Sequence, residues 1–367
     1  MEILYVPIMA AKKGEFDALK NLPSSIVERV LPLLELPVKS DRKTVEESIV
    51  STAVQVGKVW GKRRAFLDIS KWSAGARTEN GVHVFEFAIA QFARNNVAVS
   101  PVVGYDRWGD PVYRQALVNI RTIHSITPCL RLDREAIQDD MLDPDYFQER
   151  IADILNVLNL GAENFFVVLD HGDVSNSAVP DLIEATENAI GVLRRLGFGV
   201  VIVAGGSMPS SIDKAVGCRD EVGCIHRVEM LAWKAIFSQS ADCSIVFGDY
   251  TIRSPHAADG VIAPDANAKI RYTIENQYFV VRGHSKKLDS LGAQHQVLAR
   301  KLIASAHYMQ PSFSWADSEL FNCSLGAKTI GSATTMISID GNHHICAIVV
   351  EVFEYQQRVF QSARASV

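Results

Sequence analysis

Apolar residues along this chain come in short unbroken runs, and most of the runs stop abruptly in a charged residue or a glycine corner. Residues 165–173, Phe-Phe-Val-Val-Leu-Asp-His-Gly-Asp, are the clearest case: the apolar stretch ends in carboxylate and imidazole. A run without polar alternation suits a strand covered on both faces, as in a parallel sheet. Comparable runs lie at 3–9, 31–36, 65–69, 97–104, 127–132, 200–204 and 244–247. Between them the period lengthens. Residues 15–30 carry Phe16, Leu19, Leu22 and Ile26 at helix spacing, and further amphipathic helices are expected over 43–60, 82–95, 111–125, 144–160, 180–196 and 227–237.

Eight strands, each followed by a connection that can hold a crossover helix, predict an α/β fold: a (β/α)8 TIM-barrel-like domain over residues 1–255. Right-handed crossovers place the helices outside, and closure removes both sheet edges. The alternative, an open doubly wound sheet, usually shows a Gly-rich turn after its first strand, whereas here that loop is Lys-rich with one glycine. More than forty residues separate Asp249 from the next helical pattern, 294–309. Within them 269–274 and 277–282 read as a β-hairpin, part of an insertion over 256–290 that leaves a strand end and is expected to fold over the barrel mouth. Residues 291–367 are expected to supply the last barrel helix and a second β-hairpin, 335–339 with 343–353, turning at Asp340-Gly341-Asn342 and packed on the barrel.

Composition adds bounds. With 48% hydrophobic and 22% charged residues in 367, the chain has the balance of an ordinary globular protein, with ample core for a barrel of roughly 250 residues and an appendage. A formal net charge of -5 gives no global attraction to nucleic acid, so direct nucleic-acid binding is not favoured. No apolar run approaches the roughly 20 residues of a membrane helix, and the N-terminus enters a strand without a basic leader, so no membrane partner and a cytoplasmic location are expected. Six scattered cysteines read as reduced thiols.

In a closed barrel the residues ending each strand share one space, so Lys12, Glu35, Asp68, Arg131, Asp170 and Asp249 are expected to converge, with His171 as a candidate general acid or base. Glu35, Asp68, Asp170 and Asp249 are the candidate ligands of a divalent metal, Mg²⁺ or Mn²⁺, and Arg131 and Lys12 would hold an anion. Period two sets the risk: one register error turns an inward carboxylate outward. Gly205, Gly206 and Ser207 follow the seventh strand, where barrels often bind phosphate, although a turn with a helix cap explains the same residues. Arg271, Arg282, His284, Lys286 and Lys287 gather on and beyond the first hairpin beside Tyr272, Tyr278 and Phe279; the expected lid has Arg282 and His284 facing Asp170 and Asp249. His343 and His344 would alternate faces in a strand, so only one, His344, is a mouth candidate. Cys218, Cys224 and His226 lack the tight spacing and fourth ligand of structural zinc, and Lys62, Arg63 and Arg64 read as solvated surface at the opposite end.

The order of several short pieces resembles the Beta protein family of phage satellites and bacterial defence islands. The pieces are Tyr5-Val6-Pro7-Ile8 with Lys12, Gly14, Glu15 and Phe16, then Leu31-Pro32-Leu33-Leu34-Glu35-Leu36, Asp68-Ile69-Ser70 and Pro101-Val102-Val103-Gly104, and late Val281-Arg282-Gly283 and Asn342-His343-His344. The resemblance covers nearly the whole chain. It implies a context, a protein encoded beside toxin-like or anti-phage genes, and carries over no catalytic residues.

Two function classes follow. The resemblance implies an interaction protein that binds and restrains, or cooperates with, a neighbouring toxin or defence effector. The strand-end residues instead suggest a metal-assisted hydrolase or lyase acting on a phosphate ester or nucleotide. A third possibility, Lys12 as a Schiff base with pyridoxal phosphate on the Gly-Gly-Ser loop, would require a buried strand-one lysine preceded by more chain.

Overall fold

The computed structural model describes residues 2–38, 42–124, 127–257 and 265–365; the end of the helix expected over 111–125 and residues 258–264 of the insertion lie outside them. Eight parallel strands close into a barrel: β1 (Tyr5–Ala10), β2 (Leu33–Glu35), β3 (Arg64–Asp68), β4 (Ala98–Gly104), β5 (Cys129–Leu132), β6 (Phe166–Asp173), β7 (Val200–Gly206) and β9 (Ile245–Asp249). The closure is the pairing of β1 with β9, Tyr5 opposite Phe247 and Pro7 opposite Asp249. One strand not expected from the sequence, β8 (Val222–His226), lies outside the barrel and joins the expected hairpin, β10 (Asn267–Ile274) and β11 (Gln277–Ser285), in an antiparallel sheet ordered β10-β11-β8.

The helices in chain order are α1 (Lys13–Lys20), α2 (Ser24–Val27), α3 (Val45–Trp60), α4 (Val84–Arg94), α5 (Pro111–Ile123), α6 (Arg134–Gln138), α7 (Pro144–Leu158), α8 (Val179–Arg195), α9 (Ile212–Ala215), α10 (Val228–Ser240), α11 (Leu291–Ile303), α12 (Trp315–Ser324) and α13 (Ala333–Ala365). Their starts follow local chemistry. Thr44 and Glu47 form a reciprocal capping box on α3, and Asp110 and Asp143 cap α5 and α7 immediately before a proline, whose missing N–H costs nothing at a first turn.

Period two divides the barrel. Val6, Ile8, Leu33, Phe66, Val168 and Ile202 fill the interior, while Tyr5, Met9, Leu34, Leu67, Val167 and Val201 point outward beneath the helices. A further core lies between the three-stranded sheet and the C-terminal helices, built on Ile270, Tyr272, Leu298, Leu320 and Ile339.

The second hairpin expected at 335–339 and 343–353 is a helix, and the residues expected to form the last barrel helix, 294–309, overlap α11, which packs on β10 and β11 instead. It is α13 that packs against α1, β1 and α10 and completes the ring. Ile345, Ile348, Val349 and Val352 recur at helix spacing and are buried. The β-branched run and the Asp-Gly-Asn triplet point to strand and turn locally, and burial on the barrel overrides them. Gly341 lies at the crossing of α13 with α1, where a Cβ would stand 3.4 Å from Cβ of Ala18. Asn342 stitches the same crossing, donating to Ala18 O at 3.0 Å and accepting from Ala316 N at 3.1 Å.

Candidate functional site

At the C-terminal ends of the strands, alternation turns Glu35, Asp68, Arg131 and Asp170 into one mouth, as their strand-end positions predict. Arg131 is the centre. Its Nε and Nη2 reach Asp170 Oδ2 at 2.9 and 2.7 Å, and Nη1 reaches Glu35 Oε1 at 2.9 Å and Asp68 Oδ2 at 2.7 Å. Nη2 also donates to the Tyr250 hydroxyl at 2.8 Å, which in turn donates to Asp170 Oδ2 at 2.6 Å. Arg107 stands 3.0 Å from Asp68 Oδ1 without a hydrogen bond's alignment, and Lys71 lies 3.8 Å from Glu35 Oε2. Burial by itself would raise the Asp68 carboxyl, yet Arg107 and Arg131 outweigh it and hold the group below its ordinary value.

Three carboxylates thus face two guanidiniums and an ammonium, with Asp106 also 3.3 Å from Arg107, so the mouth charges are largely paired in place. The space above, lined by Ile8, Glu35, Tyr250 and Pro255 among others, is about 20 Å³, enough for roughly one water. Among the described residues no group of three or more His, Cys, Asp or Glu side chains is arranged to hold a metal ion. Of the four carboxylates expected to bind Mg²⁺ or Mn²⁺, Glu35, Asp68 and Asp170 each accept from Arg131 instead. The mouth is a closed ionic plug.

Several expected members of the mouth lie elsewhere. Gly248 and Tyr250 share the inner phase of β9 and its continuation, so Asp249 between them faces outward. It accepts from Tyr5 Oη and from Thr251 N at 2.8 Å, and stands 2.9 Å from Nε2 of His344. His344 is therefore buried on the barrel-facing side of α13, with Nδ1 2.7 Å from Thr273 Oγ1, and does not reach the mouth. Its neighbour His343 is buried separately against Asp317. His171 follows inward-facing Asp170 and so points out, 2.9 Å from Thr186 Oγ1; burial pulls its imidazole down to about 4.

The glycine-serine corner is also occupied by its own fold. A Cβ on Gly205 would meet Val174 and Glu229 outside the barrel, and one on Gly206 would meet Pro255. The Ser207 hydroxyl donates to buried Glu229 and accepts from Val228 N at 2.8 Å, so it caps α10 and is not free for phosphate. The expected basic lid is dispersed: Arg282 donates to Val216 O and Gly217 O at 2.6 and 2.8 Å, and His284 pairs with Asp220 at 2.8 Å. Neither faces Asp170 or Asp249. Cys218 and Cys224 are exposed, with His226 on the same strand as Cys224.

What the sequence did not reveal is a groove beside the plug, about 380 Å³ in volume. Five separate stretches form it: the turn into α1, the loop after β7, the loop after β9, β10 and the start of α13. Lys12, expected in the mouth, lines this groove together with Lys13, Arg253, Lys269 and Arg271. Glu15 is the one carboxylate among the described lining residues, and it accepts from Arg253 Nη1 at 2.8 Å. Arg271 is held by Asp340 Oδ2 at 2.9 Å and Ile252 O at 3.0 Å. Met208, Ile212, Ile252 and Ile337 supply apolar wall. Five cations and one carboxylate line the groove, with Arg253 paired to Glu15 and Arg271 to Asp340, so its wall is electropositive. Two advance signals pointed here, Lys12-Lys13 beside a strand end and Arg271 on the expected hairpin.

Comparison with known proteins places the chain: it belongs to the Beta protein family, whose model matches residues 5–350. No curated protein matches it. Among solved structures it is similar to Yersinia pestis DHPS with a pterine-sulfa conjugate, at 11% identity and a TM-score of 0.37, over 69% of this chain and 88% of that one.

Proposed function

We propose that this member of the Beta protein family is a binding protein for a phosphate-bearing small molecule or nucleotide, held in the cationic groove beside the barrel mouth. The observation that supports it is the excess of lysine and arginine around a groove that opens at the loops after the seventh and eighth barrel strands, the cations coming from the turn after β1, the loop after β9 and β10. Barrels commonly bind phosphate at that position, and lysine and arginine supply charge-assisted hydrogen bonds to its oxygens. The mouth supports the hydrolase reading less well, because Glu35, Asp68 and Asp170 each commit an oxygen to Arg131.

Calorimetry with inorganic phosphate and with a nucleoside triphosphate tests this. Lys12→Ala should weaken binding by about 1.5 kcal/mol or more, roughly tenfold, as expected for one charge-assisted contact. The exposed Lys62→Ala should leave it unchanged. Equal affinities for the two variants, or no heat from the parent protein at millimolar phosphate, would remove the proposal.

Restraint of a neighbouring toxin or effector is the reading implied by the family's genomic context. It predicts that the chain co-purifies with an adjacent gene product and lowers its toxicity. Co-expression without pull-down or change in toxicity would count against it.

A further inference from the structure

One half-buried amine in the groove lacks a structural task. Lys269 and Arg271 are two apart on β10, so both project to one side of the strand, and both line the groove. Arg271 is tied to Asp340 and Ile252. Lys269 makes no hydrogen bond or ion pair among the described residues, and it sits half-buried against apolar wall and a neighbouring cation. A lysine desolvated next to another cation is the arrangement that leaves an amine nucleophilic near neutral pH.

We propose that Lys269 is an imine-forming nucleophile toward a phosphorylated aldehyde or ketone, whose phosphate is held by the surrounding cations. The proposal rests on the anion-binding reading of the groove and names the chemical class of its ligand. Burial, then the Arg271 guanidinium, pull the Lys269 ammonium down to about 8, against roughly 10.4 for a free lysine. Some free base is therefore present at neutral pH.

The step balances without a redox partner. The Nζ lone pair attacks the carbonyl carbon, the C=O π pair moves to oxygen, and a proton passes from nitrogen to that oxygen to give a neutral carbinolamine. A second proton, from solvent, lets the hydroxyl leave as water while C=N forms. Amine, carbonyl and one proton become an iminium and one water.

The test is reductive trapping on the full chain. Pyridoxal 5′-phosphate serves as a phosphate-bearing aldehyde probe, with pyridoxal as its phosphate-free control, and borohydride followed by peptide mass mapping reads the site. One dominant adduct on Lys269 is expected at pH 8. It should form about tenfold more with the phosphorylated aldehyde, be suppressed by inorganic phosphate, and disappear in Lys269→Arg while that variant still binds phosphate by calorimetry. Labelling of Lys269 no greater than that of Lys62, or preferential labelling of Lys12 or Lys13, overturns the proposal. If phosphate binds but Lys269 is not trapped, the imine is wrong and the anion groove stands; if neither occurs, both readings fall.

Discussion

Arg131→Met lowers the unfolding free energy by about 3–5 kcal/mol at pH 7, the cost of removing one partner from a buried charge network. The reason lies in what is left behind. Glu35, Asp68 and Asp170 lose the guanidinium that all three contact, and Tyr250 loses its donor, with Arg107 and Lys71 left at the sides. Three nearby carboxylates in a nearly closed space repel one another and favour protonation. The variant should therefore recover part of its deficit as the pH is lowered from 7 to 5. The parent behaves oppositely in one respect. Its Asp68 carboxyl is held below the unfolded value, so its contribution is complete above about pH 3.9 and is lost as the pH falls through the folded value. Urea denaturation at pH 7 and 5 measures the first, and extending it below about pH 3.9 measures the second. A deficit below about 1 kcal/mol at pH 7, or one that widens on acidification, would show that Arg131 is not what neutralises the mouth.

Asp249→Ala should cost a comparable amount, about 3–5 kcal/mol, yet leave phosphate binding in the groove within about twofold. Asp249 is fully buried and serves three neighbours, Tyr5 Oη, Thr251 N and the His344 ring, so its removal orphans each at about 1–3 kcal/mol before relaxation. The damage is structural because the contact binds α13 to the outer side of the barrel where β1 meets β9. Thermal or denaturant unfolding gives the first quantity and phosphate calorimetry the second. A stable variant that no longer binds would return Asp249 to the role its strand-end position suggests.

The contrast between Asp170 and Asp249 explains how much of the site was legible. Both end an apolar run, and both were expected in the mouth; Asp170 lies in phase with Val168 inside the barrel, whereas Asp249 lies out of phase with Val246 and Tyr250. A pattern of uninterrupted apolar residues announces a strand buried on both faces and for that same reason carries no mark of which face is inner. Tyr250, one residue beyond the expected aspartate, is the true inward neighbour of Arg131. Lys12 shows the same limit from another side, since its strand end was visible but the groove it enters depends on β10 and α13, far away in sequence.

By itself the sequence determined the barrel: runs of alternating period, long enough connections and the constraint of closure left little else for residues 5–249 to form. It also placed four charged residues, Glu35, Asp68, Arg131 and Asp170, in a common mouth. Only the tertiary structure decided that those charges neutralise one another, that 333–365 is a helix in place of a hairpin, and that Arg282 serves a loop while Lys269 and Arg271 face a groove. Local periodicity reports which elements form. Ion pairing and phase depend on which elements meet, and that is settled by packing between segments whose separation along the chain leaves no local trace.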